Sequence, residues 1–152
     1  MLYLFDIDGT VANLDHRLHL IQNKPADWDA FFMAAADDAP IFETIMVARA
    51  LSAHHKIILV TGRSEISRRI TIDWLKKYRV PYDDLYMRAE GDHREDNIVK
   101  SELLDKLLKY EGFPNEFPPS VKISGVFEDR QQVVDMYRAR GLRVFQVAKG
   151  NF

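Results

Sequence analysis

An alternation constrains the fold most. Short apolar runs recur along the chain, and a longer stretch with helical periodicity separates most of them from the next. The runs are Leu2 to Phe5, Ile57 to Val60, Leu85 to Met87, Val121 to Phe127 and Val144 to Val147. They are apolar at successive positions rather than alternate ones, the pattern of a parallel sheet covered by helices on both faces. Between them, Ile45, Ala48 and Leu51 repeat at helical spacing, with His54 and His55 near the end of the stretch. Ile66, Ile70, Trp74 and Tyr78 step by four, and Pro81 follows as a stop. Val99, Leu103 and Leu107 form the next stripe, with Leu104 and Leu108 beside it. Val133, Val134 and Tyr137 form the last, and Gly141 stands where a helix C-terminus favours glycine. This order predicts a doubly wound α/β fold, a Rossmann-like three-layer sandwich.

Residues 12–40 do not fit the alternation. They separate the first strand from the first crossover helix, and Asp27 to Ala36 reads as helical, so the segment is expected to form a small insert or flap over the site. Glu111 to Ser120, with Gly112 and three prolines, is expected to be a loop. The length of 152 residues and an apolar share of 47% suit one domain over residues 1–152 with a core of its own. The absence of cysteine excludes disulfides, thiolate catalysis and Cys-bound zinc. With 21 basic against 23 acidic residues, phosphate neutralisation alone could not drive nucleic-acid binding, which would need a local basic patch. No apolar stretch approaches bilayer-spanning length and no leader is visible, so a soluble, cytoplasmic protein with no membrane partner is expected.

In an open α/β sheet, ligands bind outside the carboxyl ends of the strands, so the residues after each run carry the functional signal. After the first come Asp6, Ile7, Asp8, Gly9 and Thr10; after the second, Thr61, Gly62 and Arg63; after the fourth, Glu128, Asp129 and Arg130. These clusters would converge on one crevice. Asp6, Asp8, Glu128 and Asp129 would repel one another unless a cation neutralised them, and oxygen-only ligands favour Mg²⁺. A carboxylate can also accept a phosphoryl group covalently, and Thr61 and Lys100 supply a hydroxyl and a cation suited to phosphoryl oxygens. A calcium loop of EF-hand type starting at Asp6 is excluded, because its sixth position is Val11 and its twelfth Arg17.

Together, Asp6-Ile7-Asp8-Gly9-Thr10, Thr61, Lys100 and Glu128-Asp129 resemble the four motifs of the haloacid dehalogenase superfamily of phosphatases. Within it the chain is most similar to the 3′-phosphatase domain of polynucleotide kinase/phosphatase. The stretches that carry the likeness are DIDGTVANLDHR (6–17), VTGRSE (60–65), GDHREDNIVKSELL (91–104), FEDRQQVVDMYRARG (127–141) and QVAKGNF (146–152). The resemblance implies that Asp6 attacks phosphorus and carries an aspartyl phosphate, while Asp8 protonates the leaving oxygen and then activates water. It implies Mg²⁺ held by Asp6, the Asp8 backbone carbonyl and Asp129, with Glu128 standing where the polynucleotide branch usually has Asp. Thr61 and Lys100 would hold the phosphoryl oxygens, Asp96 would orient Lys100, and Arg17 and Arg63, with Gly62, would grip the substrate. The implied substrate is a 3′-phosphate at a nucleic-acid end or on a nucleotide. A free 5′-(deoxy)nucleotide or another small phosphate ester as substrate, or a binding module without catalysis, are the alternatives. No Gly-x-x-x-x-Gly-Lys-Ser/Thr loop occurs, so a kinase or ligase of the same pathway would be separate from this chain.

Several residues have plainer readings. Thr61-Gly62 also suits a strand-to-helix turn, Lys100 a solvated helix lysine and Glu128-Asp129 an acid pair at a helix N-terminus. His16, His19, His54 and His55 read as polar surface. Arg68, Arg69, Lys76, Lys77, Arg88 and Arg94 read mostly as solvated charge, some of it bordering the crevice. Trp28, Phe31 and Phe32 suit a small core within the insert, with base stacking as the other reading.

Overall fold

The computed structural model describes residues 1–113 and 116–150. Pro114 of the expected loop, and Asn151 and Phe152 of the carboxyl-terminal likeness, lie outside the described residues.

In chain order, β1 (Leu2–Phe5) is followed by the short β2 (Ala12–Asn13), α1 (His19–Gln22) and α2 (Trp28–Met33). Next come β3 (Ala39–Pro40), α3 (Phe42–Ser52), β4 (Lys56–Ser64) and α4 (Arg68–Lys77). The chain ends with β5 (Asp84–Arg88), α5 (Asp96–Tyr110), β6 (Ile123–Arg130), α6 (Gln131–Ala139) and β7 (Val144–Gly150). The main sheet is parallel, in the order β5-β4-β1-β6-β7, so β1 lies at its centre between β4 and β6. Leu4 pairs with Ile58 on one side and Val126 on the other.

Strand periodicity sorts the apolar runs between two cores. Leu2, Leu4, Ile58 and Val60 pack with Val99, Leu103 and Leu107 of α5 and with Val133, Val134 and Tyr137 of α6. Phe5, Ile57 and Leu59 point to the other face, against Ile45 and Ala48 of α3 and Trp74 and Leu75 of α4. This is the expected three-layer sandwich. Among the described residues, no helix is long and apolar enough to cross a membrane.

Several boundaries differ from the sequence reading. β4 and β6 run on through Thr61–Arg63 and Glu128–Arg130, so these polar clusters lie inside the strands, at places where the pairing register shifts. Such irregularities re-aim side chains at a strand end. Val121 falls in a 3₁₀ turn before β6 rather than in the strand. The stripe of α4 is also rotated. Ile66 precedes the helix and is 41% exposed, whereas Thr71, Trp74 and Leu75 are buried. The expected pattern missed Thr71 because its hydroxyl is hidden by a hydrogen bond from Arg63 rather than by apolar packing.

The insert is tied off at its base by an antiparallel pair, Ala12 with Pro40 and Asn13 with Ala39. Asp27 caps α2 by accepting the Ala30 N–H at 3.0 Å. Phe31, Phe32 and Leu14 form a small separate core, with Leu18, Leu20 and Ile21 against it.

Candidate active site

The loop after β1 is a tight turn. The backbone N–H groups of Thr10, Val11 and Ala12 all donate to the Ile7 carbonyl, and Gly9 N–H donates to Ala12. Gly9 has a φ of +83°, and a Cβ there would lie 2.1 Å from a carboxylate oxygen of Asp129. Glycine therefore serves twice, for the left-handed turn and for the close approach of Asp129. Asp6 N–H donates to Phe127 O at 3.0 Å, so the pairing of β1 with β6 sets Asp6 beside Glu128 and Asp129.

Lys100 sits one turn into α5 and is 1% exposed, which removes the solvated-lysine reading. Its Nζ lies 2.8 Å from Asp6 Oδ1, 2.8 Å from Glu128 Oε2 and 3.4 Å from Asp96 Oδ2. Burial lowers the lysine, but the charges of Asp6, Asp96 and Glu128 outweigh it and hold the ammonium well above its usual range. The other Glu128 oxygen accepts the backbone N–H groups of Asp129 and Arg130. Glu128 thus orients both Lys100 and the strand end.

Asp6, Glu128 and Asp129 each offer an oxygen within 4.8 Å of the others. Burial pushes all of them up: Asp6 well above its usual range, with the Glu128 charge adding, and Glu128 and Asp129 to about 7. One ammonium cannot neutralise three buried carboxylates, so the set fits a hard divalent cation with oxygen ligands. The Asp8 side chain is not part of this cluster.

Asp8 has a different set of partners. Its Oδ1 accepts from Arg17 Nη2 at 2.7 Å and from Arg63 Nε and Nη2 at 3.0 and 2.8 Å. Burial raises this carboxyl, but the two guanidiniums outweigh burial and hold it below its usual range. Arg17 and Arg63 are both completely buried. Each also reaches Asp38 Oδ2, at 2.7 and 2.8 Å, and Arg17 Nε adds Asp38 Oδ1 at 2.8 Å. The structure thus brings both arginines, expected to grip substrate, onto Asp8 and Asp38. A buried guanidinium must be paired, and these are spent on Asp8 and Asp38.

Asp38 is the residue the sequence reading missed. It is buried at the base of the insert, accepts from both arginines and pairs with His16 Nε2 at 2.7 Å, while its carbonyl accepts the Trp74 indole N–H. Nothing in the local pattern AAADDAP separates it from Asp37. His16 is thereby tied to the network rather than left as free surface. His55 packs edge-on against Tyr3.

Thr61 is buried in β4, its hydroxyl oxygen accepting the Arg63 N–H at 3.2 Å. At Gly62 a Cβ would lie 2.1 Å from Asp96 Oδ1, so the glycine admits Asp96. Arg88 closes this corner, donating to Gly62 O at 2.8 Å and Asp96 Oδ1 at 3.1 Å. Asp6, Asp8, Gly62 and Asp96 line a cavity of about 460 Å³, walled also by the insert and by Arg88, Arg94 and Arg130.

The family model for the phosphatase domain of polynucleotide kinase PNKP matches residues 1–152. The chain belongs to this family. Two structures of Pnkp1/Rnl/Hen1 complexes, one described as an RNA repair complex, contain chains 32% and 31% identical, with TM-scores of 0.75 and 0.73. Each match covers 99% of this chain and 47% or 43% of the other. A protein of Autographa californica nuclear polyhedrosis virus, named as a bifunctional polynucleotide kinase/RNA ligase, is 29% identical over 137 residues. That match covers 89% of this chain and 17% of the viral one, so the chain spans a fraction of the length of these relatives. A haloacid dehalogenase family enzyme of Bacteroides thetaiotaomicron, solved with magnesium and phosphate, shares the fold at a TM-score of 0.61 and 10% identity. The chain is thus a phosphatase domain of the haloacid dehalogenase type, a phosphoric monoester hydrolase by family.

Proposed function

We propose that this PNKP-type phosphatase domain is a Mg²⁺-dependent phosphomonoesterase that removes 3′-phosphates from polynucleotide ends or nucleotides, in the repair of nucleic-acid ends. The observation that carries this reading is Asp6: a carboxylate on the cavity wall, paired with Lys100 and set against Glu128 and Asp129. Asp6 attacks phosphorus and carries the aspartyl phosphate. Asp8 protonates the leaving oxygen, for which its carboxyl must take up a proton against the pull of Arg17 and Arg63 when substrate binds, and then, as the carboxylate they favour, takes one from the attacking water. Lys100 and Thr61 hold the phosphoryl oxygens, and Asp96 orients Lys100. Asp6, the Asp8 carbonyl and Asp129 would hold Mg²⁺, with Glu128 completing the acidic set; the ion supplies charge neutralisation for the phosphoryl group. Arg17 and Arg63 position Asp8 rather than the substrate.

The polynucleotide substrate rests on family membership and on the Pnkp1/Rnl/Hen1 RNA repair complex that holds one of the similar chains. The same relatives support a kinase and a ligase acting in the same pathway. The test compares phosphate release from a 3′-phosphorylated oligonucleotide and from a 5′-mononucleotide, with Mg²⁺ and with EDTA. Mg²⁺-dependent release from the oligonucleotide, absent in Asp6→Asn, is expected. A strong preference for the 5′-mononucleotide would overturn the substrate, and equal turnover in EDTA would overturn the metal.

A further inference from the structure

The cavity is far larger than a phosphoryl group requires. Its volume of about 460 Å³ falls within the range of sites for whole small molecules, ~300–1,000 Å³. Its walls differ in kind. Beyond the acids, the insert contributes Ile21, Trp28, Phe31 and Phe32, whereas the segment after β5 and the end of β6 contribute arginines. Trp28 belongs only partly to the small core of the insert. It packs on Phe32 with ring centroids 6.0 Å apart and meets Phe31 edge-on at 5.8 Å, yet remains 42% exposed. The platform is also in fixed register with the chemistry. Arg17 stacks over the Phe31 ring, 4.3 Å from its centroid, donates to Phe31 O and reaches Asp8 with the same guanidinium.

We infer that Trp28 is a stacking platform for the nucleobase of the nucleotide whose phosphate is removed, so that the insert selects base-bearing ends. This rests on the 3′-phosphatase reading and adds to it a determinant of specificity. A flat aromatic base suits the exposed indole, since stacking on aromatic side chains tolerates any base. The acids beside it take the phosphate of the same nucleotide, which explains why an aromatic wall and a phosphoryl site share one cavity.

The test uses two oligonucleotides with the same 3′-phosphate, one ending in adenosine and one in an abasic tetrahydrofuran residue. The abasic end is preferable to a nitrophenyl ester, whose own ring would stack. Wild type should favour the adenosine end. Trp28→Ala should lose roughly five- to a hundredfold in kcat/KM on that end, judged as one base stacked on one aromatic side chain, and nothing on the abasic end. Trp28→Phe should recover most of the loss. Equal losses on both ends would make Trp28 a support of the insert's fold and overturn the inference, as would no loss on either. Should Trp28→Ala not fold, equal wild-type rates on the two ends overturn it. Failure of the parent reading looks different: wild type then leaves both 3′-phosphates intact while hydrolysing another phosphate ester.

Discussion

Arg63 holds Asp8 from two nitrogens at once, Nε at 3.0 Å and Nη2 at 2.8 Å from the same carboxylate oxygen. The guanidinium also donates to Thr71 and Asp38. Lysine keeps the charge but has no fork. Arg63→Lys should therefore lose activity equally on an oligonucleotide 3′-phosphate and on a small phosphate ester. The loss should be roughly ten- to a hundredfold, for one charge-assisted contact at the scale of 1.5–3 kcal/mol. A loss confined to the oligonucleotide would return Arg63 to substrate binding.

Asp38 shares its carboxylate among Arg17, Arg63 and His16. Asp38→Asn leaves two buried guanidiniums with Asp8 as their carboxylate. The expected cost is about 3–5 kcal/mol, as for removing one partner of a buried pair. Denaturant titration measures it. A change below about 1 kcal/mol, the scale of an exposed pair, would show that the network is solvated.

Gly62→Ala puts a methyl group where Asp96 Oδ1 now lies. Asp96 must move, and with it its contacts to Lys100 and Arg88. Turnover should fall on every substrate while Mg²⁺ binding, read by calorimetry, stays near wild type, because Asp6, Glu128 and Asp129 are untouched. Loss of Mg²⁺ affinity with retained turnover would contradict this division.

The buried acids set a pH dependence. Burial pushes Glu128 and Asp129 to about 7, whereas unfolded carboxyls titrate near ~4. Between these values the folded chain keeps protons that the unfolded chain has released, so metal-free stability falls as pH rises through the window and levels off above it. A bound cation favours the charged forms and opposes the loss. The Mg²⁺-induced rise in Tm should therefore be larger at pH 8 than at pH 5; the opposite order would place the cation elsewhere.

The five runs and their intervening stripes determined the sandwich, since periodicity of two against 3.6 is a local property of the chain. Asp6, Asp8, Thr61 and the Glu128-Asp129 pair were legible because ligands of such sheets gather at strand ends, and β4, β1 and β6 are neighbours in the sheet. Other features depended on contacts between distant segments. The sequence marks Asp38 merely as charged, and the resemblance pointed Arg17 and Arg63 at substrate rather than at one another's partners. The three become one network because the insert folds back across 21 to 25 residues and excludes water, and a buried charge must then find its opposite. The same folding places Lys100: its spacing on the helix allowed solvent or crevice, and it is buried against Asp6 and Glu128. Trp28 carried no sign of whether it belonged to a core or a cavity. That depended on where the insert packs, which no local pattern encodes.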